Sequence, residues 1–184
     1  RQLRAARPNV MIVVDEPYMA SFGSAFISLS REQVIAMLDE VFAAIHDEGA
    51  LAGVHCCANT DWSVLLATSV DILNLDAFGY VENLALYPAE LRAYLDRGGA
   101  VSWGIIPNND QITSVTPMQL AERLRAGIDH ISQKAALRDI RITPDDFAAR
   151  SLITPSCGLG SASVELAERV LETLARTGEF LQAG

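Results

Sequence analysis

Five times along the chain a short apolar run ends in polar or small residues and gives way to a longer amphipathic segment. This repetition limits the possible folds more than any other feature of the sequence. The runs lie at 10–14, 52–57, 71–76, 100–106 and 151–154. The first, Val10-Met11-Ile12-Val13-Val14, lacks polar–apolar alternation, which predicts a strand covered on both faces. Between the runs the helix signals are chemical. Ser30 caps a helix with Gln33 at the reciprocal position, and Val34, Met37, Leu38, Val41, Phe42 and Ile45 follow as an apolar stripe that Gly49 ends. Asp61 caps a brief helix through Leu66, and Pro88 opens one that stops near Gly98-Gly99. Thr116-Pro117 and Thr143-Pro144 open two more, the first reaching towards Leu137 with an interruption at Gly127 and the second covering 144–150. A last helix spans about 162–178, while 18–29 and the stretch through Gly79 read as loops.

Strand–helix units in series predict a parallel sheet with right-handed crossovers. No Gly-x-Gly-x-x-Gly follows any strand, and no Gly-x-x-x-x-Gly-Lys motif occurs, which argues against a dinucleotide or NTP fold. A complete (β/α) barrel takes eight units and about 250 residues. Five units in 184 residues therefore predict the C-terminal part of such a barrel, with the N-terminal units absent from this chain or held by a partner.

Bulk properties narrow the function. Half of the residues are hydrophobic and a fifth are charged, as in ordinary globular domains. The net charge of -9 disfavours nucleic acid and anionic membrane surfaces as partners. No apolar stretch approaches a membrane span and no signal peptide is evident, so a cytoplasmic location is expected. Three cysteines, two of them adjacent, make a poor disulfide framework.

Chemistry concentrates where the runs end. His55 and Cys57 are two apart, so on a strand both face one way while Cys56 faces the other. Cys157 follows the fifth run in a turn with Gly158 and Gly160, a poor place for a core cysteine. Parallel strands put their C-terminal ends on one side, so the three residues can converge. One imidazole and two thiolates suit Zn²⁺; two buried thiols beside a satisfied histidine are the plain alternative. Asp76 ends the third run and serves either as a carboxylate ligand or in hydrogen bonding, with Asn74 on the same side by alternation. Asp15 and Glu16 end the first run, one of them directed inward to receive a substrate ammonium, or both simply capping. Asn59 and Asp61 follow the His-Cys strand as supporting donors or caps. His46 and His130 lie on helices, where balancing a helix dipole is the expected role. Two thiolates leave zinc a modest Lewis acid for hydrolysis but suit it to binding a third thiol and lowering its pKa.

At these residues the sequence resembles the C-terminal catalytic domain of cobalamin-independent methionine synthase and its wider barrel superfamily, which includes uroporphyrinogen decarboxylase and corrinoid-dependent methyltransferases. The resemblance rests on Val14-Asp15-Glu16-Pro17, His55-Cys56-Cys57, Asp71-Ile72-Leu73-Asn74-Leu75-Asp76, Trp103-Gly104-Ile105 and Pro155-Ser156-Cys157-Gly158-Leu159, in order across nearly the whole chain. It implies a (β/α)8 TIM barrel and a zinc-dependent methyltransferase of methionine biosynthesis. The implied ligands are His55, Cys57, Asp76 and Cys157, with aspartate at a position where the family usually has glutamate. Asp15 is implied to contact the amino group of a homocysteine-like thiol, with Glu16 and Asn109 beside the substrate and Asn59 in the catalytic set. The family carries a histidine after the fourth strand; here Pro107-Asn108-Asn109-Asp110 has none, which weakens direct transfer from methyltetrahydrofolate. His55-Cys56-Cys57-Ala58-Asn59 also resembles the corrinoid-linked branch, implying a methylcorrinoid protein as donor and an acceptor such as homocysteine or coenzyme M. A tetrapyrrole decarboxylase would want arginines at the strand ends, which this acidic chain lacks. A non-catalytic metal-binding subunit that completes a barrel is the remaining alternative.

Overall fold

The strands form as the apolar runs dictate. The computed structural model describes residues 2–25 and 27–183, so Phe26 in the 18–29 segment lies outside the described residues. The strands are β1 (Met11–Asp15), β2 (Leu51–Cys56), β3 (Ile72–Leu75), β4 (Ala100–Ile106) and β5 (Ser151–Pro155). They build one parallel sheet in the order β1-β2-β3-β4-β5, each strand beside its sequence neighbour. Among the described residues eight α-helices accompany them: α1 (Gln2–Ala6), α2 (Arg31–Asp47), α3 (Trp62–Leu66), α4 (Ala77–Tyr80), α5 (Pro88–Asp96), α6 (Pro117–Ala136), α7 (Pro144–Ala148) and α8 (Val164–Gln182).

The start signals act through their side chains. Ser30 accepts from the Gln33 N–H while the Gln33 side chain accepts from the Ser30 N–H, and Thr116 and Gln119 repeat this box on α6. Gly49 ends α2 with φ at 68°, a backbone conformation costly for other residues. Three expectations change. Gly127 does not interrupt α6; it makes room for Val81, whose Cγ2 would lie 2.6 Å from an added Cβ. The stretch after Asp76 is not a loop, because that carboxylate caps α4 and a 3-10 segment, Val81–Leu86, follows. A further 3-10 turn, Pro17–Ser21, begins the 18–29 segment.

One face of the sheet carries the core. Ala52, Val54, Cys56, Leu73, Leu75, Val101 and Trp103 pack there with Phe42 of α2, Trp62 of α3, Leu91 and Leu95 of α5, and Leu120 and Leu124 of α6. The opposite face corrects the expectation of strands covered on both sides. Register places Met11, Val13 and Asp15 beside Leu51, Gly53 and His55, then Ile72 and Asn74, Ala100 and Ser102, and Leu152. On this face Met11, Val13, Leu51 and Leu152 remain 43–52 % exposed. An uninterrupted apolar run therefore encodes apolar side chains on both faces; the described residues cover one throughout and the other only at its centre, where Ile72 and Ser102 are buried.

Candidate metal centre

The site forms where β2 and β5 end. His55 is the penultimate residue of β2 and points to the uncovered face, where its side chain is nonetheless 8 % exposed. Cys56 turns into the core, and burial pushes its thiol above the ordinary range. Cys57 lies just past the strand and is exposed; Cys157 is half-buried in the turn after β5. A ring nitrogen of His55 and the Sγ atoms of Cys57 and Cys157 all lie within 4.8 Å of one another, a group that can hold a metal ion.

This convergence demands a curved sheet. β2 and β5 stand three strand spacings apart, about 14 Å if the sheet were flat. Yet their terminal cysteines meet, and Asn74 of β3 reaches Thr154 of β5 across β4 at 3.0 Å. The sheet therefore curls, concave on the uncovered face. Gly104 permits the curl: a Cβ there would sit 2.6 Å from the Leu75 carbonyl oxygen and 2.9 Å from Ser156 Cα. The Cys157 turn is then pinned to the end of β4. The Ser156 N–H donates to the Ile106 carbonyl at 2.8 Å, the Ser156 hydroxyl to Asn108 Oδ1 at 3.1 Å, and the Asn108 amide to the Gly158 carbonyl at 3.2 Å.

Polar side chains hold the histidine from below. Asn74 Oδ1 lies 2.6 Å from His55 Nδ1, and Asn74 Nδ2 donates to the Ser102 carbonyl, the Ser102 hydroxyl and Thr154 Oγ1 at 2.9–3.0 Å. His55 Nε2 is buried with no hydrogen-bond partner. Such orphans are rare and costly, and a metal ion beside the two thiols would satisfy this one. Partial removal from water, and then the Cys157 sulfur, push the Cys57 thiol up, with Asp76 adding to the effect.

The other expected site residues are placed differently. Asp76 is not one of the converging three: it accepts from the Gly79 N–H at 2.8 Å and caps α4. Burial raises its carboxyl, opposed by the Gly79 and Phe78 N–H groups and by nearby His55 and Arg123. Asp15 is exposed and lies beside His55 in register. Glu16 is half-buried, and its N–H donates to the His55 carbonyl at 2.9 Å. Asn59 is exposed in the loop after β2. Asn109 is exposed too and caps the 3-10 turn Asp110–Ser114 by accepting from the Gln111 N–H. Asp61 caps α3. His46 does more than sit at the end of α2: its Nε2 lies 2.7 Å from Asp71 Oδ2, tying that helix to the start of β3. Sequence reasoning missed the parts played by Ser102, Thr154 and Asn108. The signal for the first two was a polar residue in an apolar strand, in register with Asn74 or one strand beyond it.

Compared with known proteins, the sequence matches no family model and no curated protein. Among the described residues no helix is long and apolar enough to cross a membrane. Fold and geometry thus define an α/β protein with a five-stranded parallel sheet and a His/Cys/Cys group, at the C-terminal ends of its strands, that can hold a metal ion.

Proposed function

We propose that this chain is the zinc-binding part of an enzyme that transfers a methyl group to a substrate thiol. The observation that carries the reading is the donor set: an imidazole nitrogen and two thiols lie within 4.8 Å of one another, and the ring's Nε2 is buried without a hydrogen-bond partner. One nitrogen and two sulfurs match a borderline-soft ion such as Zn²⁺ better than a hard, oxygen-seeking cation. When bound in such a set, zinc lowers the pKa of a substrate thiol enough to make a thiolate nucleophile available at neutral pH.

The chain's own residues supply position and charge. His55 is fixed by Asn74, and the Cys157 turn by Asn108 and Ser156, so two of the three donors are held before any ion arrives. Asp15, exposed next to His55, is suited to receive the amino group of a homocysteine-like thiol. Three protein donors leave a fourth position for the substrate sulfur, and Asp76, engaged as a helix cap, leaves that position free.

We also read the sheet as the C-terminal five units of an eight-unit (β/α) barrel, the other three lying outside these 184 residues. Support comes from the sequential strand order, the helices on one face, and the concave opposite face on which alternate strands β3 and β5 meet. The test combines metal analysis with an alkyl-transfer assay. Wild-type protein purified without chelator should carry about one zinc per chain. Methyl transfer should then be scored with homocysteine or coenzyme M as acceptor, against methyltetrahydrofolate and a methylcorrinoid protein as donors, with the companion barrel segment present. Wild-type protein that takes up no zinc overturns the reading.

A further inference from the structure

We infer that Asn74 is a positioning residue that holds His55 in the Nδ1–H tautomer and presents a bare Nε2 lone pair to the metal. The inference rests on the metal reading of the site and adds the device that arms it.

The heavy atoms alone decide the hydrogen positions. An asparagine amide has one accepting and one donating end, and a carbonyl oxygen only accepts. One end of the Asn74 amide lies 2.9 Å from the Ser102 backbone carbonyl, so that end must be the NH₂. The hydroxyls of Ser102 and Thr154, both 3.0 Å from the same nitrogen, accept from it or adapt to it by rotating. The opposite end is therefore the oxygen, and it faces His55 Nδ1 at 2.6 Å. An amide oxygen cannot donate, so the ring nitrogen must, and the proton of the neutral imidazole sits on Nδ1. Nε2 is left as a lone pair, buried and without a hydrogen-bond partner. Reversing the amide would set its oxygen against the Ser102 carbonyl, a repulsion with no donor between them. The backbone of β4 thus selects, through Asn74, which nitrogen of a β2 histidine is free to bind a metal. Outer partners of this kind typically change metal affinity about 10–100-fold when removed.

The test reads the tautomer without metal and the affinity with it. Metal-free ¹⁵N-labelled protein at pH 8.5, well above the ordinary imidazole pKa of about 6.5, is examined by two-bond ¹H–¹⁵N correlation. The His55 ring is assigned by comparison with His46→Gln and His130→Gln. Wild-type His55 should show the Nδ1–H pattern; Asn74→Leu, similar in size but without hydrogen bonds, should shift it towards Nε2–H. Chelator competition should show zinc binding about 10–100-fold weaker in Asn74→Leu. A wild-type His55 in the Nε2–H form overturns the inference even if the leucine variant does not fold. A folded leucine variant that keeps both the Nδ1–H pattern and wild-type zinc affinity overturns it as well. If the tautomer responds as expected but neither protein binds zinc, the proposed function fails while the assignment of Asn74 stands.

Discussion

Cys56 and Cys57 differ by one position and end on opposite sides of the sheet, because successive strand side chains point apart. The first is sealed among apolar neighbours; the second meets Cys157 in water's reach. Their substitutions should separate cleanly. Cys57→Ser and Cys157→Ser should abolish stoichiometric zinc binding with little change in the stability of the metal-free fold. Cys56→Ala should keep the zinc and lose about 1–2 kcal/mol on denaturant unfolding, the cost of a small core cavity. Zinc retention by Cys57→Ser would show that the neighbouring thiol, or none, is the ligand. The raised Cys57 thiol sets a pH dependence. Its folded pKa lies above the ordinary value, so at pH 7 the group is protonated and must release its proton to bind metal. Apparent zinc affinity should rise with pH until that pKa is passed. Calorimetry in two buffers of different ionisation enthalpy should count at least one proton released per zinc at pH 7, and a count of zero would remove Cys57 from the ligand set.

At the scale of elements, the site depends on how closely β3, β4 and the Cys157 turn approach one another, and Gly104 sets that distance. Gly104→Ala puts a methyl group against two backbones, which move less readily than side chains do. It should cost at least about 1–3 kcal/mol and weaken zinc binding, because the turn carrying Cys157 is displaced; unchanged melting and affinity would show that the turn has slack. A second element-level bond is the Tyr94 hydroxyl, which takes the Leu73 N–H and approaches the Asp71 and Ala100 carbonyls, joining the starts of β3 and β4. Tyr94→Phe leaves these buried groups short of a partner and should cost about 1–3 kcal/mol by thermal or denaturant unfolding. Much at this scale was legible in the sequence. Ser30 with Gln33 and Thr116 with Pro117 announce their helices because capping is local chemistry, and the spacing of His55 and Cys57 announces a shared face because alternation is local geometry. The contact from Asn74 to Thr154 was not legible, since it exists only once the sheet curls. The segment after Asp76 was misread because its carboxylate suits either a metal or a helix start, and only the folded chain shows that carboxylate accepting from the Gly79 N–H.

For the molecule as a whole, the uncovered face poses an energetic question. Parallel sheets are almost always covered on both sides, yet Met11, Val13, Leu51 and Leu152 are roughly half exposed on this one. Burying a large apolar side chain contributes about 1.5–3 kcal/mol, so completing the burial of these four would add about 3–6 kcal/mol. That is a large fraction of the 5–15 kcal/mol typical of a domain's whole stability, roughly. Closing the sheet into a barrel would realise it and wall the metal group at the same time, which connects the fold reading to the site reading. The chain of 184 residues studied alone should therefore behave as a protein with unsatisfied apolar surface. Sedimentation velocity should show association that grows with concentration, and the double variant Leu51→Lys with Leu152→Lys should suppress it, since two charges on the concave face oppose any apolar covering. The same double variant should leave zinc binding nearly intact, because both leucines lie at the opposite ends of their strands from His55 and the Cys157 turn. A wild-type chain that stays monomeric at high concentration and does not bind a hydrophobic dye would show that the face needs no cover, and the barrel reading would lose its energetic basis.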